Sequence, residues 1–146
     1  NVARGGPGGA QYTAYDDYEA FTPPLVNTGA DTTWAPSGST FYTGEAIPEW
    51  HNRLFVAGLR SQTLYCVTLD ADGSGADGGR RFDADWLDDR YTATAHRLYD
   101  GEFGRLRHVE EGPDGALYLL TSNRDGRTLT DFPIDSDDRV IRIEPT

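Results

Sequence analysis

Residues 104–121 read GRLRHVEEGPDGALYLLT, and their reading decides the fold. Arg105, Leu106, Arg107, His108 and Val109 alternate charged with uncharged, the period of a strand whose successive side chains point to opposite faces. That period predicts Arg105 and Arg107 projecting together from one face. Two guanidiniums side by side repel each other, and each is costly to bury without an acceptor. An anion with planar oxygens suits such a pair, because the guanidinium fork matches a carboxylate bidentately. Gly112-Pro113-Asp114-Gly115 follows, a turn signal in which Asp-Gly supplies the positive φ of a tight hairpin. Gly115 to Thr121 is a nearly continuous apolar strand, stopped by the polar Ser122-Asn123-Arg124-Asp125-Gly126. The stretch therefore predicts one hairpin.

Outward from it, the same signals recur. Gly38–Thr43, Arg53–Leu59, Gln62–Leu69 and Thr94–Tyr99 read as four strands, and Arg139–Ile143 as a third partner for the hairpin. Phe82–Leu87 is ambiguous, with Trp86 placed to cover an edge. Asp70–Arg80 (DADGSGADGGR) carries no core-forming residue and reads as a solvated insertion. It opens like a calcium loop but has no Glu twelve positions on. Before residue 35 the periodicity is weak. Tyr12, Tyr15, Tyr18 and Phe21 recur every three residues, yet the neighbouring glycines and Pro23-Pro24 favour an irregular segment. Asp16, Asp17 and Glu19 offer oxygen ligands to a hard cation but lack a fixed loop pattern, so calcium there is the minor reading. The predicted fold class is all-β, built of antiparallel strands with almost no helix.

The chain has 146 residues and a formal net charge of -11. Its 13 basic residues are all arginine, it has no methionine, and Asp outnumbers Glu. A lysine-free acidic surface suits a high-salt environment, where screening relieves self-repulsion; a GC-rich genome gives the same arginine bias without salt. No basic stripe exists to neutralise phosphates, which argues against nucleic acid. No apolar run approaches the roughly 18 residues of a membrane span. Cys66, the single cysteine, lies in the apolar run Leu64-Tyr65-Cys66-Val67 and reads as a buried small hydrophobe. The three histidines and one cysteine form no metal-ligand pattern.

The R-x-R-x-V and G-P-D-G-x-L-Y-x-L-T residues resemble the last blade of the soluble glucose/sorbosone dehydrogenases. These are aldose sugar dehydrogenases that use pyrroloquinoline quinone (PQQ) on a six-bladed β-propeller. Ala35-Pro36-Ser37-Gly38 with Phe41-Tyr42-Thr43-Gly44 resembles the family's APSG and FY segment. Ile47-Pro48-Glu49-Trp50 with Leu54-Phe55-Val56-Ala57-Gly58-Leu59 resembles its IP-x-W and LFV-x-x-L segment. The resemblance runs from about residue 35 to the end. A propeller blade is about 40–50 residues and a closed ring needs at least four blades, so the resemblance implies a C-terminal portion of a larger protein. Its expected division is a loop-rich lead-in at 1–34, a penultimate blade at 35–100 and a three-stranded final blade at 101–146. The missing strand and the remaining blades would come from the N-terminal part of the full-length protein.

The function implied is oxidation of an aldose to its lactone by hydride transfer to PQQ, with a sugar substrate and an electron acceptor as partners. The isolated chain is expected to be inactive. Arg105 and Arg107 match the family's paired cofactor-binding arginines. Calcium is an expectation for the full-length protein, and an extracellular or periplasmic setting follows from the resemblance alone. Three departures stand against the transfer. His108 replaces an Asp after the second arginine. Glu45 stands where some relatives carry a cofactor-contacting Lys. Ala30, Asp31, Thr32 and Thr33 fill the place of a substrate-wall aromatic, leaving Trp34 as a substitute wall or a packing residue. The family's general base, a histidine, lies in earlier blades, and neither His51 nor His96 replaces it; the catalytic residue is unknown from this chain. A non-catalytic propeller that binds a ligand or partner is the alternative, and a calcium-dependent lactone hydrolase on a similar scaffold a third.

Overall fold

The structure, a computed structural model, describes residues 25–28, 33–71, 78–83, 91–127 and 131–145. Among the described residues, eight strands form two antiparallel sheets. The first holds β1 (Pro36–Tyr42), β2 (Arg53–Gly58), β3 (Leu64–Asp70), β4 (Arg80–Asp83) and β5 (Thr92–Leu98), in the order β1-β2-β3-β5-β4. The second holds β6 (Leu106–Glu111), β7 (Leu117–Thr121) and β8 (Val140–Ile143), in that order. The chain is all-β: the one helical element among the described residues is a single 3-10 turn at Pro48–Trp50.

The first sheet has one strand more than the residue pattern predicts. β4, Arg-Arg-Phe-Asp, carries only Phe82 as a large apolar residue, so its sequence gives no run to read. It adds to the outside of β5, and Phe82 is buried. The predicted insertion at 70–80 is bounded by the end of β3 and the start of β4; its centre, like Trp86, lies outside the described residues. So do Asp16, Asp17 and Glu19.

Both faces of the first sheet are covered, which is why β2 and β3 read as continuous apolar runs. Phe55, Ala57, Leu64 and Cys66 face the second sheet, packing with Tyr42, Leu106, Val109, Leu117, Leu119 and Ile143. Tyr65, Val67, Ala93 and Ala95 face the other way, beneath Leu25, Val26 and Trp34. Burial pushes the Cys66 thiol up, against the opposing Arg53 charge, as expected of an inert buried cysteine.

The sheets meet along β1 and β6, and polar pins fix the contact at its far end. Tyr42, fully buried, donates its hydroxyl to the Gly115 carbonyl at 2.6 Å and accepts from the Ile47 amide at 3.0 Å. Glu111 accepts from the Thr43 amide at 2.6 Å. The hairpin turn closes through Gly115 N–H to the Gly112 carbonyl at 2.9 Å, with Gly115 at φ +76°. Thus the segments that carry the resemblance are held against one another.

Candidate anion site at the start of β6

The opposite end of the same contact concentrates the polar chemistry. Gly104 turns the chain into β6 at φ +73°, and a Cβ there would stand 2.3 Å from Asn123 Oδ1. Asn123, fully buried, accepts from the Arg105 amide at 2.8 Å and donates to the Phe103 carbonyl at 2.9 Å. This clamp satisfies two backbone groups that the ladder does not reach.

Arg105 is nearly buried, with its side chain 10% exposed. Its Nε and Nη2 donate to Asp125 Oδ2 at 3.2 and 2.9 Å, and its Nη1 to the Leu59 carbonyl at 3.4 Å. Burial opposes ionisation of Asp125, but the Arg127 amide and the Arg105 guanidinium outweigh it and hold the carboxyl below its ordinary range. A guanidinium has five N–H donors. Three are committed here, so one remains on each terminal nitrogen.

Arg107 is different. The pairing of β6 with β7 slips between Leu106 and His108, leaving Arg107 as the extra residue of a β-bulge. The strict alternation that predicts a shared face is interrupted there, because a bulge adds a residue to one strand only. Leu106 and Val109 are both fully buried, whereas Arg107 is exposed. The Arg107 guanidinium makes no hydrogen bond or ion pair with the described residues. The backbone amide of Arg127 also donates to Asp125, at Oδ1, at 3.0 Å.

The other site candidates separate from this end. The Trp34 ring stacks on Tyr65 with centroids 3.6 Å apart and meets Phe82 edge-on. Its contacts are those of a packing residue on the far face of the first sheet, although its carbonyl accepts from the Arg60 amide at 3.3 Å. Glu45 precedes Ala46, which meets Gly115. It therefore lies at the end opposite Arg105 and its Asp125 partner. His108 pairs with Glu110 at 3.1 Å. His51 Nδ1 lies 3.3 Å from the Gly44 carbonyl, while His96 Nε2 is buried without a partner among the described residues. Among the described residues no cluster of His, Cys, Asp or Glu is able to hold a metal ion, and no helix is long and apolar enough to cross a membrane.

Residue patterns missed Asn123 and Asp125, which lie 18 and 20 positions from Arg105. Their stretch reads as a polar turn, and only the antiparallel return of β7 brings it beside β6. Nearby, Asp137 has no side-chain exposure and accepts from Arg139 Nε at 2.8 Å and from the Ile134 amide at 2.9 Å.

Residues 6–130 match the family profile of the glucose/sorbosone dehydrogenases. Aldose sugar dehydrogenase YliI of Escherichia coli K12 is 28% identical over 99 residues, covering 68% of this chain and 22% of that protein. Among solved structures, an oxidoreductase described as a glucose dehydrogenase from Thermus thermophilus is 33% identical, with a TM-score of 0.57 over 85% of this chain and 29% of its own. The PQQ-bound aldose sugar dehydrogenase of Streptomyces coelicolor is 27% identical, with a TM-score of 0.54 over 97% of this chain and 31% of its own. The chain thus spans about a fifth of the curated relative and under a third of the solved ones.

Proposed function

The chain belongs to the glucose/sorbosone dehydrogenase family, and on that footing we propose that it is the C-terminal part of a PQQ-dependent sugar dehydrogenase propeller. In this reading the two sheets are its last two blades, completed by blades from the rest of the full-length protein. Arg105 and Arg107 hold carboxylates of the quinone. The observation that carries the reading is the donor count at Arg105. Asp125 and Leu59 occupy three of its five N–H groups and leave one on each terminal nitrogen, the pair a carboxylate takes bidentately. With so little exposure, that pair would work in a medium that screens it weakly. Arg107 supplies a second guanidinium with no competing partner among the described residues.

PQQ, when bound, would supply the two-electron chemistry by which an aldose is oxidised to its lactone. The residues of this chain bind and orient. Asp125 prevents the Arg105 side chain from turning away, and the Asn123 clamp fixes the strand from which it springs. The base that takes the sugar proton is assigned to other blades. Calcium and an extracellular or periplasmic setting belong to the same proposal for the full-length protein.

The alternative, a propeller of this family that binds a ligand or partner without catalysis, is favoured by the Asp125 pairing, which already neutralises Arg105. Titrating the full-length protein with PQQ and calcium, then assaying dye reduction with aldoses, separates the two. The enzyme reading expects micromolar or tighter PQQ binding, with Arg105→Ala and Arg107→Ala each weakening it by about tenfold or more. Absence of PQQ binding by the wild-type protein leaves the binding-module reading.

A further inference from the structure

Two strands that meet across the sheet contact each carry one residue too many. In β1 the pairing with β2 slips between Pro36 and Gly38, which makes Ser37 the extra residue. In β6 the extra residue is Arg107. The two extra residues touch. Ser37 Oγ lies 2.7 Å from the Arg107 carbonyl and 3.0 Å from the Leu106 carbonyl. A hydroxyl has one proton to donate, and the Arg107 carbonyl is the nearer acceptor. Beside them Gly38 makes room for the neighbouring residue of the bulge: a Cβ at that position would lie 2.4 Å from His108 Nδ1 and 2.9 Å from His108 Cα. Ser37-Gly38 is thus a socket shaped to the bulge.

A bulge leaves its extra residue out of the ladder and re-aims the side chain it carries. The carbonyl of such a residue needs a donor from elsewhere. Here that donor comes from the other sheet, and the re-aimed side chain is the guanidinium left without a partner among the described residues. An ordinary inter-sheet hydrogen bond would steady the contact wherever it fell. This one falls on the residue whose direction matters.

We propose that Ser37 is a positioning residue for Arg107: its hydroxyl, seated on the bulge carbonyl, holds the backbone that aims the Arg107 guanidinium at a carboxylated planar ligand of the PQQ class. The proposal rests on the reading of Arg107 as a carboxylate binder. Ser37 does not touch the ligand; it acts through Arg107 alone.

The test is a double-mutant cycle on the full-length protein, with the PQQ dissociation constant read by quenching of intrinsic fluorescence. Ser37→Ala is expected to weaken PQQ about three- to tenfold, the net worth of one hydrogen bond. Ser37→Thr, which keeps the hydroxyl, is expected to stay within about twofold of wild type. Ser37→Val, matched in shape to Thr but without the hydroxyl, repeats the alanine loss and serves if Ser37→Ala does not fold. In an Arg107→Ala background the Ser37 substitution is expected to add nothing. Wild-type affinity in Ser37→Ala and Ser37→Val overturns the proposal, as do losses that add in the double variant. A wild-type protein that binds no PQQ overturns the reading of Arg107 and this proposal with it, whereas a binding wild type with additive losses overturns the proposal alone.

Discussion

Gly104 is the residue on which the site is hinged. Its φ of +73° lies in the region where a Cβ is strained, and the space a Cβ would take belongs to Asn123 Oδ1, 2.3 Å away. Gly104→Ala therefore meets two penalties at once: backbone strain, and displacement of the amide that holds the Arg105 N–H. A loss of about 2–4 kcal/mol is expected, read as a lower urea midpoint with an unchanged slope. A loss below about 0.5 kcal/mol would mean that the Asn123 clamp yields without cost. Gly104 is visible in the sequence only as one of 17 glycines. Nothing in the local pattern distinguishes it, because its constraint comes from a residue on the following strand. Arg105 and Arg107 stand out by spacing, yet their environments differ for a reason no spacing contains. One lies beside a returning aspartate, and the other sits on a bulge.

At the level of elements, the strands with apolar runs were legible and the irregularities were not. β2, β3 and β7 announce themselves because both or most of their faces are buried. β4 does not, since a four-residue edge strand with two arginines has no period to read. Register slips are invisible in one strand because they are properties of a pair. The segment entering β8 illustrates the same limit. Asp137 reads as one acid in an acidic run, but the fold buries it against Arg139 and the Ile134 amide. Burial pushes its pKa up, and the Ile134 N–H, the Asn123 amide and Arg139 together outweigh that, so the carboxyl lies below its ordinary value of 3.8. A depressed carboxyl pKa means that the unfolded chain binds more protons than the native one in that range. Its stabilisation is therefore complete above the ordinary value and is lost as pH falls through the depressed one. Urea midpoints of the full-length protein from about pH 5 to pH 2 should fall steeply for wild type. Asp137→Asn should begin lower and fall less. Parallel curves for the two proteins would show that Asp137 titrates normally.

For the molecule as a whole, the all-β class follows from turn signals and apolar runs, and the two-sheet arrangement from a core that no single sheet supplies. Charge is the property left over. The net charge is -11 on 146 residues with no lysine, and part of that charge is gathered into pairs: Asp114, for instance, is held below its ordinary range by Arg142 and the Tyr118 hydroxyl. Unpaired acids repel across the surface, and salt weakens that repulsion as the Debye length falls from about 10 Å at 0.1 M to about 3 Å at 1 M. Simple screening is then nearly exhausted. Two origins of the composition make different predictions beyond that point. A GC-biased genome leaves an ordinary protein whose melting temperature in KCl levels off near about 1 M. A surface adapted to salt continues to gain, because its carboxylates are stabilised by a concentrated hydrated cation layer that screening theory does not include. We propose the second for this lysine-free, aspartate-rich composition. The melting temperature of the full-length protein is expected to rise through about 1 M KCl and to keep rising to about 3 M. A plateau at about 1 M would assign the missing lysines to the genome and remove salt from the account of this fold.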